Sequence, residues 1–273
     1  MVVFPGAKIN IGLYVTGMRN DGYHNIETFY YRIGLSDVLE VVTNQYGQPG
    51  CIDLSLSGIQ VEGPADNNLV IRAYRLLHER LGLPGVKAYL HKCIPTEAGL
   101  GGGSSDGASM LLMLNEIFEL NLSYCDLSGL ALKLGSDCPF FLDPVPSFAH
   151  GRGEELMQAG LSLRGLHIML FHPGTGINTA AAYANATISK RRTPLDQIMR
   201  LPVVGWKKAV QNVFESYAFD QQPVIEYIKE ELYRSGAIYA SMSGSGSAVY
   251  GLFERENEIP EGLAGYFIWK ERF

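Results

Sequence analysis

The segment Pro95-Thr-Glu-Ala-Gly-Leu-Gly-Gly-Gly-Ser-Ser105 places four glycines in five positions directly before two hydroxyl side chains. Without Cβ atoms, successive backbone N–H groups can turn toward one point. Met110, Leu114, Ile117 and Phe118 recur at helical spacing and predict an amphipathic helix starting near Ser104. The unpaired N–H groups and positive dipole end of such a helix favour a phosphate. Ser104 and Ser105 can cap the helix, or contact phosphate or a magnesium ion. The loop has no G-x-x-x-x-G-K-[ST] and does not complete G-x-G-x-x-G, which excludes the Walker-type and dinucleotide loops. A His-Arg-Asp catalytic loop of the protein-kinase kind is absent as well. On these residues alone, a phosphate cradle and a flexible turn with a serine cap both remain open.

Two ionisable residues add possible chemistry. Asp137, in Leu134-Gly-Ser-Asp-Cys-Pro-Phe-Phe141, could accept a proton from a hydroxyl, or could simply begin a turn or helix. Lys8 lies within Ala7-Lys-Ile-Asn-Ile-Gly-Leu-Tyr-Val15, a stretch that alternates polar and apolar residues as a half-buried strand does. A charge on a mostly apolar strand is costly unless something compensates it.

The elements that must position these residues are mixed α and β. Residues 26–33, 37–43, 51–57 and 86–93 continue the β pattern, and Leu69, Ala73, Leu76 and Leu77 predict a helix closed by Gly82 and Pro84. Residues 123–134 read as a further helix. Pro144 and Pro146, followed by Gly151, Gly153 and Gly160, mark the expected domain boundary, dividing the chain into 1–148 and 149–273. Beyond it come a strand at 166–171, several helices between Thr179 and Arg234, and strands at 238–242, 248–253 and 266–270.

The whole chain of 273 residues is 47% hydrophobic and 18% charged, which suits one large or two small domains and excludes a disordered or fibrous chain. With 22 basic and 28 acidic residues the net charge is −6, so a main role in binding nucleic acid or an anionic membrane is not expected. Cys51, Cys93, Cys125 and Cys138 never form C-x-x-C, arguing against a zinc site or disulfide framework and for a reducing cytoplasm. Cys138, next to Asp137, is either reactive or a small buried side chain. No apolar run approaches the roughly 20 residues of a membrane span.

Pro95 to Ser105 resembles the P-x-x-x-G-L-G-[GS]-[GS]-[SA]-[SA] loop of the GHMP kinases, which phosphorylate small alcohols. Pro5-Gly-Ala-Lys-Ile-Asn-Ile-Gly-Leu13 resembles the first motif of that family, and Ser241-Met-Ser-Gly-Ser-Gly-Ser247 the third. The resemblance implies a two-domain α+β fold, with a ribosomal protein S5 domain 2-like N-terminal domain and a ferredoxin-like C-terminal domain. It places the site in a cleft between them. Asn20-Asp-Gly-Tyr-His24, Leu134 to Phe141 and Gly151-Arg-Gly-Glu154 narrow the resemblance to the members acting on cytidine diphosphate–linked methylerythritol. Those members transfer phosphate from ATP to its tertiary 2-hydroxyl, in the non-mevalonate route to isoprenoid precursors.

By that resemblance Asp137 matches the catalytic aspartate and Lys8 its partner lysine. Pro95, Thr96, Glu97, Ala98, Gly99, Leu100, Gly101, Gly102, Gly103, Ser104 and Ser105 would hold ATP, and Asn68 would contact adenine. Tyr23, His24 and Tyr183 would hold the cytosine, Asn10 the diphosphate or polyol end, and Ser243 to Gly246 would join the site. Magnesium is expected with ATP, its protein ligands unassigned. Glu97 departs from the pattern, since relatives often carry glycine or another small residue there. Two other readings stay open: a GHMP kinase for homoserine or a sugar, and a non-catalytic nucleotide-binding regulator on the same fold.

Overall fold

The computed structural model describes residues 1–44, 48–189 and 193–273. Along the chain come β1 (Val2–Val3), β2 (Gly6–Met18), β3 (His24–Ser36), β4 (Val38–Thr43), β5 (Ile52–Gly58), α1 (Leu69–Leu81), β6 (Val86–Lys92), α2 (Gly102–Ile117) and α3 (Tyr124–Leu134). Then follow β7 (Ser147–His150), β8 (Glu155–Gln158), β9 (His167–Phe171), α4 (Thr179–Ala184), α5 (Leu195–Ile198) and α6 (Trp206–Ala209). The chain ends with α7 (Glu215–Gln221), α8 (Pro223–Arg234), β10 (Tyr239–Met242), β11 (Val249–Phe253) and β12 (Phe267–Arg272).

These elements form two compact units. The first comprises Met1–Lys8, Arg32–Thr96 and Gly101–Pro144, the second Ile9–Tyr31, Glu97–Leu100 and Val145–Phe273. In the first, a sheet of order β1-β4-β6-β5 is antiparallel except for the parallel β5–β6 pair. Residues on β6 alternate strictly between buried and exposed, so Val86, Ala88 and Leu90 face the core. They meet Val70, Tyr74 and Leu77 of α1, Met110, Leu111 and Leu114 of α2, and Leu127 and Leu130 of α3. Asn68 begins α1 by accepting a hydrogen bond from the Val70 N–H, and Gly82 ends it in the left-handed conformation.

The second unit holds two sheets. One has the order β2-β3-β7-β8. The pair β7–β8 lies where prolines and glycines predicted only a boundary. Gly151 and Gly153 instead make the turn of a hairpin whose first strand pairs with β3. The other sheet is fully antiparallel, of order β10-β11-β9-β12. Numbered from β9, its strands follow the order 2-3-1-4 with helices between the first and second, which is the expected ferredoxin-like arrangement. Ile225, Ile228 and Leu232 of α8 cover it together with Met169, Phe171, Met242, Val249 and Phe253.

One expectation about β2 fails in a useful way. Its alternating pattern predicted a half-buried strand, yet every residue from Gly6 to Val15 is buried, including Lys8 and Asn10. The polar side chains do not face solvent; each must be satisfied inside the protein.

A second buried lysine lies at the end of β6. The Lys92 ammonium contacts Asp37 and lies 2.7 Å from Asp106 Oδ2. Asp37 Oδ1 also accepts from the N–H groups of Cys93 and Ile94, whereas Asp106 Oδ1 is buried with no hydrogen-bond partner. Burial, reinforced by the neighbouring Asp37, outweighs the attraction of Lys92 and pushes the Asp106 carboxyl up to about 7. An acid whose pKa rises on folding stabilises the protein fully below its unfolded value of about 3.9, and that contribution is lost as pH rises toward its folded value. Lys92 stays protonated in that interval, since the two carboxylates raise its pKa. Asp106→Asn is therefore expected to gain stability relative to the parent protein as pH increases from about 4 to about 7. Denaturant unfolding of both proteins across this range measures the difference; a pH-independent difference would mean that Asp106 folds in its ionised form.

Candidate active site

Asp137 immediately precedes a 3₁₀ turn at Cys138–Leu142, where an aspartate often folds back to cap the free N–H groups. Its side chain makes no such bond. Instead its Oδ2 lies 3.4 Å from the Lys8 ammonium. Lys8 is almost wholly buried, whereas the Asp137 side chain is 33% exposed, so the pair has one dry end and one end open to solvent. Burial lowers the Lys8 pKa, and the charge and hydrogen bond of Asp137 oppose that shift. A carboxylate open on one side and held against a desolvated ammonium can take a proton from an incoming hydroxyl. The ammonium can meanwhile steady the negative charge that develops on the oxygen.

The glycine loop leads into the same unit. Helix α2 begins at Gly102, two residues earlier than predicted, with Gly101 as its N-cap in the left-handed conformation. No side chain caps it, so neither Ser104 nor Ser105 has the capping role considered from the sequence. The first N–H groups of α2 are thereby left for a ligand. A Cβ on Gly101 would stand 2.8 Å from Phe141 Cζ and 3.2 Å from Lys8 Cε. The Phe141 ring thus packs over the loop at a point where only hydrogen fits, and it brings the loop against the stem of Lys8. Pro139, Phe140 and Phe141 are buried, which explains the aromatic end of the Leu134–Phe141 string. The buried Cys138 thiol is pushed up to about 12, chiefly by burial, so it is no reactive nucleophile.

In the second unit, Gly99 (φ +74°) lies against the loop of residues 241–247, where a Cβ would sit 1.9 Å from the carbonyl oxygen of Ser243. The Ser243 hydroxyl donates to Gly99 O (2.9 Å) and accepts from the Asn10 N–H (3.1 Å). The Asn10 side chain donates to Thr28 Oγ1 at 2.9 Å. Glu97 adopts φ +52°, a conformation that favours glycine, and its side chain is packed close over Gly176. The residue departs from the family pattern while the backbone keeps a shape suited to a small one.

Tyr23 is 54% exposed at the turn between β2 and β3, and the Arg152 guanidinium lies 4.7 Å from its ring centroid. His24 and Tyr183 stack with ring centroids 5.2 Å apart, and Tyr183 also meets Phe214 edge-on. The structure thus brings Lys8, Asp137 and Gly101 together in the first unit. In the second it groups Asn10 with Gly99 and Ser243, and His24 with Tyr183. Asn68, expected at adenine, uses its side-chain oxygen to cap α1. Arg152 and Thr28 escaped sequence reasoning, as did Asn212, whose amide donates to the carbonyls of Met242 and Gly244. Arg152 had a visible signal in Gly151-Arg-Gly-Glu154; the others are ordinary polar residues whose roles arise from distant contacts. Among the described residues, no cluster of three or more His, Cys, Asp or Glu is placed to hold a metal ion.

The fold and these loops define a small-molecule kinase class. The profile described as GHMP kinases N terminal domain matches residues 68–143, and that described as GHMP kinases C terminal matches 195–265. The chain belongs to the GHMP kinase family. It is 46% identical over 261 residues to the 4-diphosphocytidyl-2-C-methyl-D-erythritol kinase of Bacteroides thetaiotaomicron, covering 96% of this chain and 95% of that one. A crystal structure of 4-(cytidine 5'-diphospho)-2C-methyl-D-erythritol kinase superposes with a TM-score of 0.77 at 32% identity, covering 92% of this chain and 90% of the other. A homoserine kinase from Cytophaga hutchinsonii shares the fold at a TM-score of 0.58 and 15% identity, covering 91% of this chain and 85% of its own.

The tight packing at Gly101 has a measurable consequence. Gly101→Ala should destabilise the protein by about 1–2 kcal/mol from the left-handed backbone alone. It should also lower turnover by up to about 10²-fold, because Phe141 and the Lys8 stem must move. At Gly103 an added Cβ meets no protein atom within 4 Å, so Gly103→Ala should leave stability intact or raise it. Denaturant unfolding and steady-state kinetics on the two variants test the contrast, and equal behaviour would refute it.

Proposed function

We propose that this chain phosphorylates the 2-hydroxyl of 4-diphosphocytidyl-2-C-methyl-D-erythritol with ATP, in the non-mevalonate route to isoprenoid precursors. The observation that carries the chemistry is the Lys8–Asp137 pair, one end desolvated and the other open, beside the glycine N-cap of α2. Relatives that share nearly half of their residues over almost the whole chain support the choice of substrate.

In this reading the N–H groups at the start of α2 and of the loop Pro95–Ser105 cradle the ATP phosphates. The substrate hydroxyl attacks the γ-phosphorus while its proton passes to Asp137, and ADP departs carrying the electrons of the broken P–O bond. Lys8 faces the Asp137 carboxylate and stabilises the alkoxide that develops during the transfer. Magnesium, when bound, neutralises the phosphate charge, and the half-buried Ser104 hydroxyl on the first turn of α2 is an oxygen donor suited to it. Tyr23 offers a half-exposed ring for the cytosine, with His24 and Tyr183 completing an aromatic cluster, and Asn10 serves the polar end of the substrate. ATP as co-substrate fits a cytoplasmic reaction, and among the described residues no helix is long and apolar enough to cross a membrane. A non-catalytic nucleotide-binding regulator would have no use for the Lys8–Asp137 pair.

Asp137→Asn keeps the side-chain size but cannot take up a proton, so turnover should fall roughly 10²–10⁴-fold while both substrates still bind within a few fold. Steady-state kinetics with direct binding measurements decide this, and near-normal turnover would remove Asp137 from proton transfer. Tyr23→Ala should weaken the cytidine substrate by about 1–3 kcal/mol with little change for ATP. Equal weakening of both ligands in titration calorimetry would show that Tyr23 does not face the cytosine.

A further inference from the structure

The loop of residues 241–247 is held from behind by two side chains that neither motif nor spacing singles out. Asn212 is buried, and its amide donates to two carbonyls of this segment, Met242 O at 2.9 Å and Gly244 O at 2.8 Å. Its own oxygen accepts from the Phe214 N–H at 3.0 Å, so the amide orientation is fixed at both ends. The backbone on either side of Asn212 is pinned to β2: Leu13 N–H donates to Gln211 O, and Val213 N–H donates to Leu13 O. Three residues on, Glu215 is also buried. Its Oε1 accepts from the Met242 N–H at 3.0 Å and from the Ser241 hydroxyl at 3.3 Å, while Oε2 pairs with Lys229 at 2.6 Å.

The chain of contacts continues forward. Ser243, between the two carbonyls held by Asn212, donates to Gly99 O and accepts from the Asn10 N–H. The Ala248 N–H donates to Ala98 O at 3.1 Å. The carbonyls of Ala98 and Gly99, in the middle of the glycine loop, are therefore fixed by residues 243 and 248. Those residues flank the turn that Asn212 and Glu215 hold.

We infer that Asn212, with Glu215, is a positioning residue for nucleotide binding: it holds the 241–247 loop so that Ser243 fixes the Gly99 peptide and aims the N–H groups of the glycine loop at the ATP phosphates. This inference rests on the assignment of the glycine loop to ATP made above. Its geometric logic is that an N–H donor works only when its peptide plane is held, and a carbonyl gripped on one side of a peptide orients the N–H on the other. Buried amides that satisfy two carbonyls at once also leave a costly defect when removed.

The test compares Asn212→Asp, Ser243→Ala and Glu215→Gln in the full chain. Asn212→Asp loses both donors without a change of size, and Ser243→Ala deletes one hydroxyl and keeps the fold testable should the first variant fail to fold. Glu215→Gln keeps an acceptor oxygen for the Met242 N–H and serves as the conservative variant. Affinities for a non-hydrolysable ATP analogue and for the cytidine substrate are measured directly, alongside kcat and each KM. The expected result is weaker ATP-analogue binding in Ser243→Ala by tenfold or more, reaching about 10²-fold in Asn212→Asp. The cytidine substrate should be retained within a few fold, and Glu215→Gln, which keeps an acceptor for the Met242 N–H but loses the Lys229 ion pair, should weaken ATP-analogue binding less than Asn212→Asp does. Unchanged ATP-analogue affinity in folded Ser243→Ala, or an equal loss for both ligands, overturns the inference. The wild-type assay separates this failure from the larger one: a parent protein that binds the ATP analogue but does not turn over the cytidine substrate refutes the proposed reaction while leaving the positioning role standing or falling on the binding data.

Discussion

An ammonium group buried in a strand governs much of this molecule. Lys8 lies on β2 among residues that are inaccessible to solvent, and removing a charge from water is costly unless another charge or a set of hydrogen bonds replaces the water. Asp137 supplies that replacement. Its placement accounts for details that otherwise look arbitrary: the aspartate does not cap the 3₁₀ turn it precedes, and that turn is anchored by buried Pro139, Phe140 and Phe141. Phe141 in turn presses on Gly101, where a side chain would collide with both the ring and Lys8. The ion pair, the aromatic anchor and the start of α2 are thus one packed arrangement, and altering any member moves the others.

The same economy appears around the glycine loop. Three of its positions have no room for a side chain: Gly99 against the Ser243 carbonyl, Gly101 against Phe141 and Gly102 against Ile94. Glycine here serves close approach as much as conformational freedom. A loop built this way would be floppy if left alone. The hydrogen bonds from Ser243 and Ala248 to its carbonyls hold it, so its order is borrowed from segments almost 150 residues away. Glu97 shows the other side of this constraint, since the backbone keeps a left-handed turn there although the residue is not glycine.

The chain contains a second buried lysine with a different outcome. Lys92 faces two carboxylates, and its surroundings raise its pKa where those of Lys8 lower it. Asp137, which pairs with Lys8, is partly in water, while Lys92 is enclosed by Asp37 and Asp106. The first arrangement leaves a carboxylate open to solvent, and the second ties β6 to α2 without reaching solvent. Identical side chains therefore differ in electrostatics with the number and exposure of the carboxylates around them.

How much of this was legible in the residues follows from the range of the interactions. Helices α1 and α3 and most strands arise from local hydrophobic period and turn chemistry, which a sequence displays directly, whereas the ferredoxin-like order of β9 to β12 was implied only by the resemblance to the GHMP kinases. The glycine loop was likewise readable, because close backbone approach restricts residue type over a few neighbouring positions, while the strings around Lys8 and Asp137 carried meaning only through their resemblance to the GHMP kinases. The alternation in β2 was visible too, but it was assigned to a solvent face. Whether a polar residue meets water or a partner is decided by what packs against the strand, and only the tertiary structure brings Asp137 to Lys8 and Thr28 to Asn10. The hairpin β7–β8 was hidden for a similar reason, since its prolines and glycines belong equally to a linker and to a turn until β3 pairs beside it. Asn212 and Glu215 carry no local signature at all. Sequence by itself determined most elements and the glycine loop, through constraints that act over a few residues; the tertiary structure alone decided which buried polar groups satisfy one another, Lys8 and Asp137 included, because those partners lie tens to hundreds of residues apart.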